Sequence, residues 1–220
     1  MDSNVDDDVV DDSGNELHGK SKLTTLVPGK FSRSLYFDGT QKGIVSVPNS
    51  PVMNFGTKSF SFTAWVKNED LTYPKTTLPV RYGMGCSWST SRAGWTPGWF
   101  ISAGNRANKI AICIRDKTNR AQSYIDFDAD LTHSQLLGKW THYAVVFDRE
   151  AGKGFLFVNG KKQADFADIS SVTGSIGNDK PLTFGYMSGW KMHGSIDEYR
   201  LYNTALNNEQ VELIFNDHRV

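Results

Sequence analysis

Two sets of residues in this chain could do chemistry, and they point in different directions. The first is rich in oxygen donors. Asp12-Ser13-Gly14-Asn15 is a turn sequence, in which an Asp side chain can bond its own backbone and Gly14 can take a positive φ. A second carboxylate, Asp197, alternates with Tyr199 and Leu201 in the segment 196–202. If those two side chains point into a core, period-two alternation carries Asp197 to the same inner side. A carboxylate there must be paired or bind a metal, because an isolated buried charge is costly. Asp12, Asn15 and Asp197 supply hard oxygens of the kind that Ca²⁺ collects, about 6–8 at a time. The set lacks His and Cys, which disfavours zinc. A hydrogen-bonded turn and a cation site are both consistent with these residues. The neighbouring run Asp6-Asp7-Asp8 reads as a solvated stretch.

The second set is aromatic. Residues 81–99 place Arg81, Tyr82, Trp88, Arg92, Trp95 and Trp99 among Gly and Ser. A flat indole can stack on the C–H face of a pyranose, while Arg and Tyr satisfy hydroxyls or carboxylates. Two arginines near tryptophans tilt that expectation toward an acidic glycan, since guanidinium pairs bidentately with carboxylates. Trp190 and His193, between Gly189 and Gly194, form a further aromatic-polar pair expected on a loop near the first group. Trp65 and Trp140 lie inside strongly apolar runs and are expected in the core. Paired catalytic carboxylates are not evident. No E-x-D-x-x-E or E-x-D-x-E segment occurs, and Asp126, Asp128 and Asp130 run into a polar stretch. His142 and Tyr143 are adjacent in a strand and so point to opposite faces, while His133 has no neighbouring partner. The expectation is therefore binding, with an enzyme as the weaker reading.

These residues must be positioned by strands. From residue 31 onward the chain is a series of short β-type runs broken by Gly, Asn and Asp. Strands are predicted near 35–37, 43–47, 60–66, 99–103, 109–115, 121–127, 140–148, 155–158, 161–165, 182–185 and 196–202. Asn159-Gly160 is a strong hairpin signal. Helical character is confined to the tail, where Asn207 can cap 208–215. About a dozen strands without crossover helices predict an all-β fold, an antiparallel β-sandwich with a short C-terminal helix.

With the strands laid out, two segments become recognisable. GKWTHYAVVFDREAGKGFLFVNGKKQ (138–163) and LTFGYMSGWKMHGSIDEYRLYNTALNNEQVELIF (182–215) follow VVDDSGNELHG (9–19), GKFSRSLYFDG (29–39) and SFSFTAWVK (59–67). Together they resemble the laminin G-like modules of the concanavalin A-like jelly-roll superfamily. The resemblance covers nearly the whole chain. It implies one domain over 1–220, with residues 1–19 as an acidic arm packed on it. It also implies a calcium ion between the DSGN segment and the IDE strand, a structural role for His142, and a core aromatic at Trp99. Modules of this type occur in polysaccharide-degrading enzymes, adhesins and matrix proteins. The expected function is thus a non-catalytic polysaccharide- or glycan-binding module, secreted or at a cell surface and part of a larger protein. A protein-binding adhesion module and a polysaccharide lyase or glycoside hydrolase with an unrecognised site are the alternatives.

Composition agrees with this and removes other classes. The 24 basic and 24 acidic side chains cancel, and that balance disfavours a nucleic-acid partner. The cancellation is uneven: residues 1–19 carry seven acids and no Lys or Arg, leaving a body with all 24 basic and 17 acidic groups. No apolar run is long enough to span a membrane, and no signal peptide is visible, so the chain reads as a mature form or as a module cut from something larger. Cys86 and Cys113 could pair if their strands neighbour each other, or serve as small buried residues.

Overall fold

Period-two alternation decides which side of each strand is buried. In Phe60–Asn68, Phe60, Phe62, Ala64 and Val66 face one common core, and in Trp140–Asp148 Tyr143, Val145 and Phe147 join them. The computed structural model describes residues 7–70, 72, 75–76, 80–82, 97–103, 109–118, 122–128, 136–187 and 189–216. Two sheets enclose the core. The first, sheet A, runs β1 (Asp7–Val9), β2 (Gly19–Lys22), β5 (Ile44–Val47), β15 (Leu182–Phe184), β8 (Val80–Tyr82), β9 (Gly98–Ala103), β10 (Lys109–Arg115) and β11 (Gln122–Asp128). The second, sheet B, runs β14 (Lys161–Asp168), β13 (Lys153–Val158), β12 (Trp140–Asp148), β6 (Phe60–Asn68), β17 (Trp190–Tyr202), β4 (Arg33–Asp38) and β3 (Thr25–Pro28). β16 (Tyr186–Met187) attaches to β17 antiparallel and β7 (Lys75–Thr76) attaches to it in parallel. The predicted antiparallel sandwich is the observed fold.

Aromatic stacking fills the space between the sheets. Phe60 stacks on Phe55 at 4.6 Å and on Phe147 at 4.5 Å. Trp99 is 0% exposed, with its ring 5.5 Å from that of Phe60 and 6.3 Å from that of Phe147. Ile101, Ile112, Ile114 and Phe127 close the core from sheet A. Cys113 lies on the other side of β10 as a buried free thiol, and burial pushes it up to about 12, so it is an inert small residue. Its possible partner Cys86 lies outside the described residues.

The outer face of sheet B is half covered. Helix α1 (Asn208–Asn216) starts at a reciprocal cap, the Gln210 N–H donating to Asn207 Oδ1 and the Asn207 N–H to Gln210 Oε1, both at 2.9 Å. Val211 is the wholly buried residue of its apolar side and packs with Ala144, Val146, Phe157 and Leu206. At the helix end, Phe215 stacks on Trp65 at 5.5 Å and lies 5.8 Å from His142. Trp65 is therefore buried, but beneath α1 instead of between the sheets, and Trp140 is only half-buried.

β17 is longer than its expected span. It begins at Trp190, because the β16 hairpin turns at Gly189 (φ +94°) and the chain then continues past Gly194. A side chain at Gly194 would meet the Lys67 carbonyl at 1.9 Å, so only glycine lets β17 lie this close to β6. A second irregularity lies at Glu198 (φ +50°), where pairing with β6 shifts between Asp197 and Arg200. This bulge inserts one residue and reverses the alternation. Tyr199 and Leu201 pack against the core, as expected, while Asp197 falls opposite Trp65 in the outward row. The expected inward Asp197 is corrected for that reason.

His142, 1% exposed under α1, gives the first prediction. Burial, aided by the nearby Arg200 charge, holds its imidazole down to about 4. In the unfolded chain it titrates near ~6.5. Between those values the unfolded state binds the extra proton, so this contribution is complete above ~6.5 and is lost as the pH falls toward 4. The loss is about 3 kcal/mol. Urea unfolding at pH 7 and pH 4 should show a decline that is smaller, by about that amount, in His142→Phe.

Candidate functional site

The uncovered half of sheet B's outer face carries a polar cluster. Alternation turns Tyr36 and Asp38 of β4 away from the core that holds Leu35 and Phe37. Register places His193 opposite Asp38, and the Glu69 N–H donates to the His193 carbonyl at 2.9 Å, bringing the end of β6 alongside. Tyr36 Oη sits 3.2 Å from Glu69 Oε2 and 3.3 Å from His193 Nε2. Glu69 Oε2 is 3.7 Å from His193 Nε2, and Asp70 Oδ2 is 3.8 Å from Nδ1 on the other side of the ring. Lys67 Nζ approaches Glu69 Oε1 at 3.9 Å. The imidazole side chain is 25% exposed, so solvent reaches the group.

Electrostatics keep the Tyr36 phenol protonated. Burial, then the Glu69 charge and hydrogen bond, then Asp38 raise the Tyr36 phenol above its ordinary value. It stays protonated at neutral pH and donates to Glu69. Asp38 is occupied in its own turn, accepting from the Thr40 and Gln41 N–H groups at 2.8 and 3.0 Å. Lys191 is anchored on the Thr40 carbonyl at 2.7 Å. Such an arrangement offers fixed donors and acceptors to hydroxyl groups. It holds no activated nucleophile.

The expected site residues are distributed unevenly. His193 is central to this cluster, and Trp190 is half-buried three residues before it, paired with Met187. Both sit on a strand and not on the expected loop. Trp99 is the clear correction: a ring with no exposed surface, enclosed by Phe60 and Phe147, cannot meet a surface ligand. Register sets Arg81 in the cross-strand row of Thr183 and Phe100, and Tyr82 in the row of Leu182 and Trp99. Trp88, Arg92 and Trp95 lie outside the described residues. Tyr36, Glu69 and Asp70 were missed, since they carry no motif. The only signal is Tyr36 alternating with the core residues Leu35 and Phe37.

The expected calcium ligands do not assemble. The 11–17 turn is organised by Asp11, whose carboxylate accepts from the Ser13 N–H at 3.0 Å, the Ser13 hydroxyl at 2.8 Å and the Leu17 N–H at 2.9 Å. Asn15 Nδ2 donates to Ser13 Oγ at 2.8 Å, and Asp12 is exposed. Asp197, on the other sheet, accepts from the N–H groups of Lys30 at 2.8 Å, Phe31 at 3.2 Å and Glu198 at 2.8 Å. Three amides thus do for its charge what a cation was expected to do. Among the described residues no group of three or more His, Cys, Asp or Glu side chains could hold a metal ion. The calcium expectation does not fit these side chains.

With this geometry in place, residues 38–212 match the concanavalin A-like lectin/glucanases superfamily. The chain belongs to that family. Its relatives include Paraclostridial mosquitocidal protein 1 of Paraclostridium bifermentans, 23% identical over 229 residues, which span 96% of this chain and 17% of that protein. The crystal structure of that protein's binding domain superposes with a TM-score of 0.72 at 20% identity, over 99% of this chain and 51% of the other. The binding domain of botulinum neurotoxin DC in complex with SialylT gives 0.68 at 19% identity, over 96% and 48%. The same domain in complex with rat synaptotagmin II gives 0.71 at 19%, over 96% and 49%. The chain spans about half the length of these solved binding domains. At such identities the superpositions establish the fold. No helix among the described residues is long and apolar enough to cross a membrane.

Removing the Asp197 carboxylate should strand three part-buried amides. Asp197→Ala is expected to cost on the order of 2–4 kcal/mol in urea unfolding, since each unsatisfied N–H costs ~1–3 kcal/mol. Gly29→Ala should destabilise as well, because a Cβ there would lie 2.5 Å from Asp197 Oδ2. Melting with and without EDTA separates the two readings of this carboxylate: amide anchoring expects no shift, and a drop confined to EDTA would favour calcium.

Proposed function

We propose that this chain is a carbohydrate-binding module of a larger secreted or surface-acting protein, and that it binds through the Tyr36–Glu69–His193 cluster. The observation that carries this reading is three hydrogen-bonding groups held within 3.2–3.7 Å of one another on an open sheet face. A sugar's vicinal hydroxyls need such closely spaced donors and acceptors, and the half-buried Trp190 supplies nearby aromatic surface for C–H contacts. Support comes from membership of a lectin superfamily and from a structural neighbour in complex with SialylT. Glu69 and Asp70 outnumber Lys67 at the cluster, which favours neutral or amino sugars there. The sequence expectation for an acidic polysaccharide rests on Arg81 and Arg92. The second reading is a protein receptor, favoured by the neighbour in complex with rat synaptotagmin II.

A glycan array with neutral, amino and sialylated arms separates these. Retention on the neutral or amino arms is expected, weakened about tenfold by Tyr36→Phe or His193→Ala, equivalent to ~1.4 kcal/mol. Retention that ignores both substitutions, or none on any arm, rejects the carbohydrate reading at this cluster.

A further inference from the structure

Toward the start of β17 its outward row changes character. Met192 is buried in the core, so alternation puts Lys191 on the same outward side as His193 and Ser195. Register sets Lys191 opposite Tyr186 of β16 on one side and opposite Lys75 of β7 on the other. Directly opposed side chains of an antiparallel pair share a face, so the Tyr186 ring stands beside the Lys191 stem. A second ammonium arrives from the loop after β4, where Lys42 Nζ lies over the Tyr186 ring, 5.5 Å from its centre. Lys191 Nζ is held by the Thr40 carbonyl at 2.7 Å. The Tyr186 hydroxyl accepts the Gly189 N–H at 3.1 Å, which leaves its own O–H to donate. Among the described residues no carboxylate forms an ion pair with Lys42 or Lys191. Asp38, the carboxylate of this stretch, is taken up by its own turn, accepting from the Thr40 N–H and hydroxyl and the Gln41 N–H.

The ligand's chemistry follows from these donors. Two ammonium groups gathered at one phenol ring repel each other, and an anion bound by both relieves that repulsion. Lysine takes carboxylate and sulfate as a point charge, through charge-assisted hydrogen bonds of the stronger kind. Lys191 is half-buried and already hydrogen-bonded, so it loses little freedom when a ligand arrives. At the other end of the row Glu69 and Asp70 flank His193 and repel an anion. The face thus has an acidic end and a basic end. Four residues of β17 separate them, from Ser195 opposite Tyr36 to Lys191, or roughly 13 Å. That span suits a short oligosaccharide and exceeds a single sugar ring. We propose that Lys42, Lys191 and Tyr186 form an anion subsite, which takes the carboxylate or sulfate of an acidic sugar in a glycan whose neutral residue lies on the His193 cluster. The inference rests on the carbohydrate reading for its carrier, and adds the ligand's charge and its direction along the sheet.

The test is NMR titration of the full chain with lactose, 3′-sialyllactose and lactose 3′-sulfate, which share one neutral disaccharide. At low salt the acidic sugars should bind about tenfold more tightly than lactose, and about 0.5 M NaCl should shrink that advantage. Lys42→Ala and Lys191→Gln should each bring the ratio of acidic to neutral affinity to within about twofold of unity, with an unchanged melting temperature. Lys191→Arg, which keeps the charge, should preserve the ratio. A gain from only one of the two acidic sugars supports the subsite and identifies its anion. Lactose bound without any gain from either anion, or a gain that survives both lysine substitutions, overturns the subsite and leaves the His193 cluster standing. A gain lost in Lys42→Ala but untouched by Tyr36→Phe and His193→Ala keeps the subsite and rejects the cluster. No binding of any of the three sugars overturns both.

Discussion

A carboxylate removed from water needs donors, and Asp197 finds them in the backbone. The turn at 28–32 folds over it so that the Lys30 and Phe31 amides point at Oδ2, while Oδ1 takes the Glu198 N–H. Gly29 lets the turn come this close. The consequences spread outward from that anchor. Fixing the turn places the Phe31 ring edge-on to Trp65 at 6.0 Å and Lys30 Nζ over the indole at 4.5 Å. Phe215 stacks on the same indole, so the carboxylate anchor, the 28–32 turn and the terminal helix meet at one tryptophan. A surface cation–π contact is worth only ~0.5–1 kcal/mol. The buried carboxylate with three donors is the stronger term, and the aromatic cluster depends on it.

That anchoring divides sheet B's outer face. Helix α1 covers the apolar half, where Ala144, Val146 and Phe157 would otherwise meet water. Beyond it, Tyr36, Lys67, Glu69 and His193 are polar enough to remain uncovered. Helix α1 thus closes one half of this sheet face and leaves the other solvated. The Tyr36 phenol on this face is raised, not lowered, by burial and by Glu69.

The long core strands were legible because alternation and aromatic content agree in them. β6, β10 and β12 lie where their apolar periods place them, and the Asn207 cap begins α1 as expected. The short strands β1, β2 and β3 were not legible. Gly19–Lys22 and Asp7–Val9 have little apolar content and are held by pairing along an edge. The largest error was the face of Asp197. Reading it correctly requires knowing that Glu198 adopts a positive φ, which nothing about a glutamate announces. The His193 cluster was half legible, since an aromatic-polar pair was visible, but its partners come from strands brought alongside by register.

The zero net charge hides how the acidic arm is used. Two of its carboxylates find local partners: Asp8 pairs with Lys20 across β1 and β2, and Asp11 accepts donors of the 11–17 loop. Both are held below the ordinary carboxylate range. For Asp8 the Lys20 hydrogen bond and charge lead, and for Asp11 the Leu17 and Ser13 donors outweigh burial. Carboxylates satisfied in this way have little reason to converge on a shared cation. A loop that satisfies Asp11 and a strand carboxylate satisfied by amides are two independent solutions to the same electrostatic problem, on opposite sheets. The positive excess of the body is accordingly offset at one edge of sheet A, and the outer face of sheet B is governed by its own local charges.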